Sequence, residues 1–313
     1  MDGEKPHTIS SMPSWKLVAH APKPLVQAAL LAQEESPEWD WNVVLTGSEV
    51  AEDKPDDWVL EAYFPRKPGK ADHAMVAALF GANPPKLAAE MLPDTDWVTL
   101  SQQGVEPIRA GRFHVHTPDF PPLGQPGVRD LAIPPSRAFG TGQHATTAGC
   151  LAMLSAMKAR GVVVRNLADI GTGTGLLAFA ALDLWPRALA TASDIDPVCT
   201  GVVEDNAAAN GFALGPRRGE LTMVVADGMA DPLLMARGPY DLLIANILAG
   251  PLVELARDFA AATQPGGQLL LAGLLETQEP AVRRAYRAAG FRLRARQVNG
   301  DWSILWLIRR RTR

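Results

Sequence analysis

From about residue 145 onward the chain alternates short strand-like runs with helical ones, and few architectures satisfy that rhythm. The runs LADI, ALATASDI, LTMVVA, YDLLIANI and QLLLAG are apolar and separated by segments of helical spacing. That is how a parallel sheet covered by helices on both faces is written. Thr147 is read as opening a helix that carries Leu151, Leu154 and Met157 and ends at Gly161. A second helix spans PVCTGVVEDNAAAN, with Pro197 in its first turn and Gly211 just past its end. A third, PLVELARDFAAAT, is closed by Pro265, Gly266 and Gly267. After the helix EPAVRRAYRAAG, the runs FRLRARQV and WSILWLIRR flank Asn299, Gly300 and Asp301, and Asn-Gly between strand patterns signals a hairpin. The expectation is an α/β, doubly wound, seven-stranded and mostly parallel sheet that finishes in a C-terminal antiparallel hairpin.

The earlier part reads differently. WKLVAHA, WNVVL and DWVLEAYF alternate as strands, while PLVQAALLAQ and KADHAMVAALFGAN read as helices. This predicts a small α+β domain over residues 1–85, a connector over 86–110 and the larger domain over 111–313. The net charge of −4 conceals an asymmetry: residues 34 to 61 are acidic, with Glu49, Asp53 and Asp57 among them, whereas the C-terminal part is rich in arginine. The two cysteines, Cys150 and Cys199, stand near no CxxC or histidine pair, so no metal site is expected and a reducing compartment fits. No run approaches the ~20 apolar residues of a membrane span, and MDGEKPHTISSMPSWK lacks the apolar core of a signal peptide. A cytoplasmic, monomeric protein is expected, without membrane contact and without sequence-specific nucleic-acid binding.

The stretch DIGTGTG places Gly171, Gly173 and Gly175 after the first strand of the larger domain, with Asp194 ending the second. Taken alone this is ambiguous, because Gly173, Gly175 and Ala178 also satisfy the GxGxxG/A dinucleotide pattern. Either cofactor would use a turn without Cβ atoms and a carboxylate able to accept bonds from ribose hydroxyls. Three features favour S-adenosyl-L-methionine. Asp169, directly before the turn, is unwelcome beside a diphosphate and acceptable beside a cationic sulfonium or amino group. PPSRAFGTGQHATT brings glycines, His144 and paired threonines to a helix N-terminus, which can take a carboxylate. Asn246 ends the fourth strand, where its amide can donate and accept beside a transferring methyl group.

The motifs AFGTGQHATT, DIGTGTG, SDIDP and ANILAGPL together closely resemble those of the ribosomal protein L-eleven (L11) methyltransferases, from about residue 111 to the C-terminus. The resemblance implies a Rossmann-like class I methyltransferase domain behind a small substrate-recognition domain. It also implies transfer of methyl groups from S-adenosyl-L-methionine to lysine ε-amino or N-terminal α-amino groups of L11. Carried over position by position, the family's cofactor contacts fall on Thr147, Gly171, Asp194 and Asn246, with Gly173 in the same turn. Where the family loop usually has Thr and Pro, this chain has Gln143 and Ala145. The N-terminal segments WVTLSQQG and RAGRFHVH match the family's recognition domain more loosely, and the acidic run suits a basic partner.

Transfer to an amine needs the neutral amine, and a lysine has a pKa near ~10.4 in water, so desolvation or a base must remove a proton. His144 is the candidate base and equally a turn residue. His114 and His116 alternate on one strand and are read as fold residues, and Asp227 is a candidate partner for an adenine amino group. A nicotinamide-dependent dehydrogenase and a non-catalytic RNA-binding module are the competing classes.

Overall fold

The computed structural model describes residues 15–34, 36, 39, 43–50, 56–64, 66–91, 106–134 and 143–311, and the chain divides into units of residues 1–103 and 104–313. The first unit runs β1 (Trp15–Pro22), α1 (Lys23–Glu34), β2 (Val44–Glu49), β3 (Asp57–Phe64), α2 (Lys70–Ala78) and β4 (Ala88–Met91). Its strands lie in the order β2-β3-β1-β4, every neighbouring pair antiparallel, which is the split βαβ plan of ferredoxin-like domains. Alternation explains its core. Leu17 and Ala19 face the interior opposite Ala62 and Leu60, and Val26, Ala29 and Val76 from the two helices cover them.

Both ends of the stretch read as a connector are strand. Ala88–Met91 pairs with β1, and Ile108–Ala110, which is β5, pairs with β6 (Phe113–His116) in the second unit. Residues 92–105 between them lie outside the described residues. β6 also pairs with β7 (Arg129–Ala132), in parallel, completing a three-stranded sheet.

The larger sheet contains β8 (Asn166–Ile170), β9 (Leu189–Asp194), β10 (Leu221–Val225), β11 (Tyr240–Asn246), β12 (Thr263–Leu275), β13 (Phe291–Asn299) and β14 (Trp302–Arg309). Their order is β10-β9-β8-β11-β12-β14-β13, parallel as far as β12, with β14 antiparallel to both neighbours. This is the seven-stranded sheet and terminal hairpin expected from the rhythm of the chain. Around it lie α3 (Gln143–Ala159), α4 (Leu176–Leu184), α5 (Val198–Asn210), α6 (Pro232–Arg237), α7 (Ala249–Glu254), α8 (Ala256–Ala262) and α9 (Glu279–Ala288). Both faces are buried. Leu167, Ile244 and Leu270 point into one core with residues of α3 and α4, and Ala168, Leu243 and Leu271 into another with α7, α8 and α9.

Helix boundaries differ from expectation in two places. α3 starts at Gln143, four residues before Thr147, so Thr146 and Thr147 lie inside it, 1% and 3% exposed, rather than capping it. The third expected helix is two, α7 and α8, separated at Leu255, whose ψ of −1° interrupts the helical path. β12 then begins at Thr263, and Pro265, Gly266 and Gly267 are absorbed where its register against β11 shifts between Tyr240 and Leu242. No helix among the described residues is long and apolar enough to cross a membrane.

Candidate active site

Strand register assembles the site. Ile170 pairs with Ser193 of β9 and Ala245 of β11, so the next residues along, Gly171, Asp194 and Asn246, form one row at the carboxyl ends of three adjacent parallel strands. That edge is where open α/β sheets bind ligands. Gly171 has φ +69°, and a Cβ there would run into Cγ2 of Ile247, the residue after Asn246. A side chain at 171 would therefore be strained twice, by its backbone and by its neighbour.

Backbone groups clamp the turn. The Thr172 amide donates to the Ser193 carbonyl at 2.9 Å, and the Gly173 amide donates to Oδ2 of Asp194 at 2.8 Å. Asp194 Oδ1 accepts from the Asp196 amide at 3.1 Å, and the carboxylate is half-buried, with lone pairs left for a ligand. Directly after it, Ile195 is 67% exposed and offers bare apolar surface at the rim.

Asp169, directly before the turn, is held by the turn itself. It is 1% exposed beneath the turn, where Oδ2 accepts from Thr172 Oγ1 at 2.7 Å and from the Ala178 amide at 3.1 Å. Burial, reinforced by the charge of Asp194, pushes its carboxyl up to about 7, against those two hydrogen bonds. Because an unfolded aspartate titrates near ~3.9, the folded state holds this proton more tightly. The stability Asp169 contributes is full below that value and is lost as pH rises through about 7. Asp169→Asn keeps an oxygen for both donors, so its thermal unfolding curve is expected to flatten across that window and to lie above the parent's at alkaline pH. A variant that is less stable than the parent on the alkaline side would contradict this role.

A second chain of bonds runs behind the turn. Asn206 Nδ2 donates to the Thr174 carbonyl at 2.9 Å, and one helical turn on, Asn210 Nδ2 donates to the Asn206 carbonyl and to the Ala132 carbonyl of β7. Asn210 Oδ1 accepts from the Ala132 amide at 2.7 Å. The glycine turn is thereby tied through α5 to the strand that leads into residues 135–142.

The structure brings Gly171, Gly173, Asp194 and Asn246 together. Thr147 stands on a separate element, α3, which packs against α4, β12 and β14 and whose first turn is held by Asn299 Nδ2 on the Ala145 carbonyl at 2.9 Å. The AFGTG loop and the His144 side chain lie outside the described residues. Asp227 is exposed beyond the end of β10. His114 and His116 stack with ring centroids 5.2 Å apart, His114 Nδ1 bonded to Asp130 and His116 Nδ1 to the Thr117 carbonyl. Atoms of these two rings and of Asp130 lie within 4.8 Å of one another. Asp130 also accepts the Leu123 and Gly124 amides, so it closes the loop between β6 and β7.

Sequence reasoning missed Gly273. It has φ +83° in the middle of β12, and a Cβ there would strike the Ile247 backbone, with its carbonyl carbon at 2.8 Å and nitrogen at 2.9 Å. A lone glycine inside the apolar run LLLAGLL was the available signal for a close backbone approach.

A parallel sheet of this order, with a glycine turn after its first strand, an acid ending its second and a reversed strand inserted before its edge, defines a class I methyltransferase domain. The family model for ribosomal protein L11 methyltransferase (PrmA) matches residues 26–310, and the chain belongs to that family. It is 38% identical over 263 residues to the ribosomal protein L11 methyltransferase of Rhizobium leguminosarum bv. trifolii, covering 83% of this chain and 86% of that one. The corresponding protein of Rhizobium meliloti is 41% identical over 220 residues, 70% of this chain and 73% of its own. The crystal structure of a ribosomal protein L11 methylase from Lactobacillus delbrueckii subsp. bulgaricus superposes with a TM-score of 0.55 at 28% identity, covering 66% of this chain and 99% of that one.

Proposed function

We propose that this chain transfers methyl groups from S-adenosyl-L-methionine to amino groups of ribosomal protein L11, on lysine side chains or the N-terminus. The row of Asp194, Gly171 and Asn246 at one sheet edge, in a chain of this family, carries the reading. The residues fit such a cofactor. Asp194 has a carboxylate for ribose hydroxyls, Ile195 has apolar surface for a flat base, Gly171 and Gly173 at positive φ let backbone approach closely, and Asn246 lies in the same row; Thr147, buried on α3, is the contact that the family resemblance adds. When bound, the cofactor supplies a methyl group already activated by the sulfonium charge.

The chain's own residues then have a positioning task. Asn246 can accept from an amine N–H and so orient its lone pair, while the buried strands beneath it hold that amide to one position. Desolvation of the incoming amine favours its neutral form. The acidic part of the first unit suits a basic protein partner: Glu49 and Asp57 are exposed, whereas Glu61 is taken up by Lys16 at 2.6 Å. Asp53, in the same run, lies outside the described residues.

The test is intact-mass analysis of unmethylated L11 incubated with the protein and S-adenosyl-L-methionine. Mass rising in methyl steps is the expected result. No rise, in a preparation that binds the cofactor, would move the acceptor to another protein.

A further inference from the structure

The catalytic reading leaves the arginines of the C-terminal part unused. Residues 280–311 contain nine arginines, no lysine and a single acid, Asp301, in a chain whose net charge is −4. Five of the arginines converge on one groove of about 560 Å³ between α9 and the ends of the terminal hairpin: Arg283, Arg284 and Arg287 from the helix, Arg292 from β13 and Arg310 just beyond β14. All five are exposed. Arg283 pairs with Glu279 at 3.0 Å, whereas the guanidinium groups of Arg284, Arg287, Arg292 and Arg310 have no ion pair or hydrogen bond among the described residues. On α9, Arg287 follows Arg283 by four positions and Arg284 by three, spacings at which like charges repel. Such an arrangement is relieved by a bound polyanion.

The groove is remote from the methyl-transfer edge. β14 runs antiparallel to β12, with Trp302 opposite Leu275 and Ile308 opposite Gln268. Arg310 therefore lies at the amino ends of the parallel strands, and Gly171 and Asn246 lie at their carboxyl ends. The floor is apolar and closed, since Phe291 and Leu307 are 0% and 3% exposed, and among the described residues no exposed aromatic ring lines the groove for a base to stack on. Planar guanidinium forks match phosphate oxygens in pairs, which ammonium groups do not.

We infer that this groove binds the phosphodiester backbone of RNA without reading its bases. RNA is chosen over DNA because the acceptor proposed above is a ribosomal protein, and to that extent the inference rests on that reading. The charge geometry itself does not depend on it.

The experiment is fluorescence anisotropy of a labelled, mixed-sequence single-stranded RNA titrated with the full chain at about 50 and about 200 mM salt. Each phosphate contacted adds a slope of about −0.7 in log affinity against log salt. The parent is expected to bind, and the triple variant Arg284→Gln/Arg287→Gln/Arg292→Gln to lose about two units of that slope and at least about tenfold in affinity at the lower salt. Its thermal unfolding and its methylation of free L11 should match the parent's. No binding by the parent, equal binding by the variant, or competition by polyaspartate as effective as by RNA would each overturn the inference. If RNA binding is lost in the variant while the parent fails to methylate L11, the groove assignment stands and the acceptor assignment falls.

Discussion

Asp194→Ala is expected to weaken S-adenosyl-L-methionine binding about 100-fold or more. The carboxylate ends β9 with Oδ2 on the Gly173 amide and Oδ1 on the Asp196 amide, so it both braces the turn and presents its remaining lone pairs at the sheet edge. Hydrogen bonds to a charged acceptor contribute about 1.5–3 kcal/mol each, and two lost to a ribose amount to at least two powers of ten at about 1.4 kcal/mol per power. Titration calorimetry of the folded variant measures this directly. Asp194→Asn gives up the charge and keeps an oxygen for only one of those two amides, setting its Nδ2 against the other, so it should recover thermal stability in part without recovering affinity. A variant that retains affinity to within a few-fold would remove Asp194 from the cofactor site.

Gly273→Ala is expected to lower stability and turnover together. At φ +83° an L-residue is strained by about 1–2 kcal/mol. The added carbon also meets the Ile247 main chain, which cannot swing aside as a side-chain tip could. Overpacking of this kind costs a further ~1–3 kcal/mol. The strain is relieved by pushing Ile247, and with it Asn246, away from the row it shares with Gly171. Displacement of a positioning group by about 1 Å costs about 100-fold in rate, so kcat should fall far more than KM rises, alongside a lowered Tm. An unchanged kcat in a destabilised variant would mean that Asn246 does not need its place.

The parallel sheet and its hairpin were legible because their signals are local: apolar runs of strand length, Pro197 and Gly211 bracketing α5, and Asn-Gly between two strands. What escaped was decided by partners distant in the chain. Ala88–Met91 has little intrinsic strand preference and pairs only because β1 offers it an edge. Thr146 and Thr147 look like capping residues, yet both are buried inside α3. The position of Asp169 was readable, but its direction was not, because only the folded turn shows that its oxygen is spent on Thr172 and Ala178. Gly273 could be noticed as a lone glycine in an apolar run, but its reason could not, because the Ile247 main chain that it meets follows a different strand.

The two asparagines of α5 give that helix the character of a ruler. Near the end of the helix Asn206 reaches the glycine turn, and at its last residue Asn210 reaches β7, where its side-chain amide substitutes for a neighbouring strand by both giving and taking a hydrogen bond at Ala132. Their spacing of one helical turn puts both on the same face, and adding or removing a single residue would rotate one against the other by about 100°. The dimension that matters in α5 is thus the spacing of four residues between Asn206 and Asn210. The glycine turn and β7, far apart in sequence, are kept at a constant separation by counting.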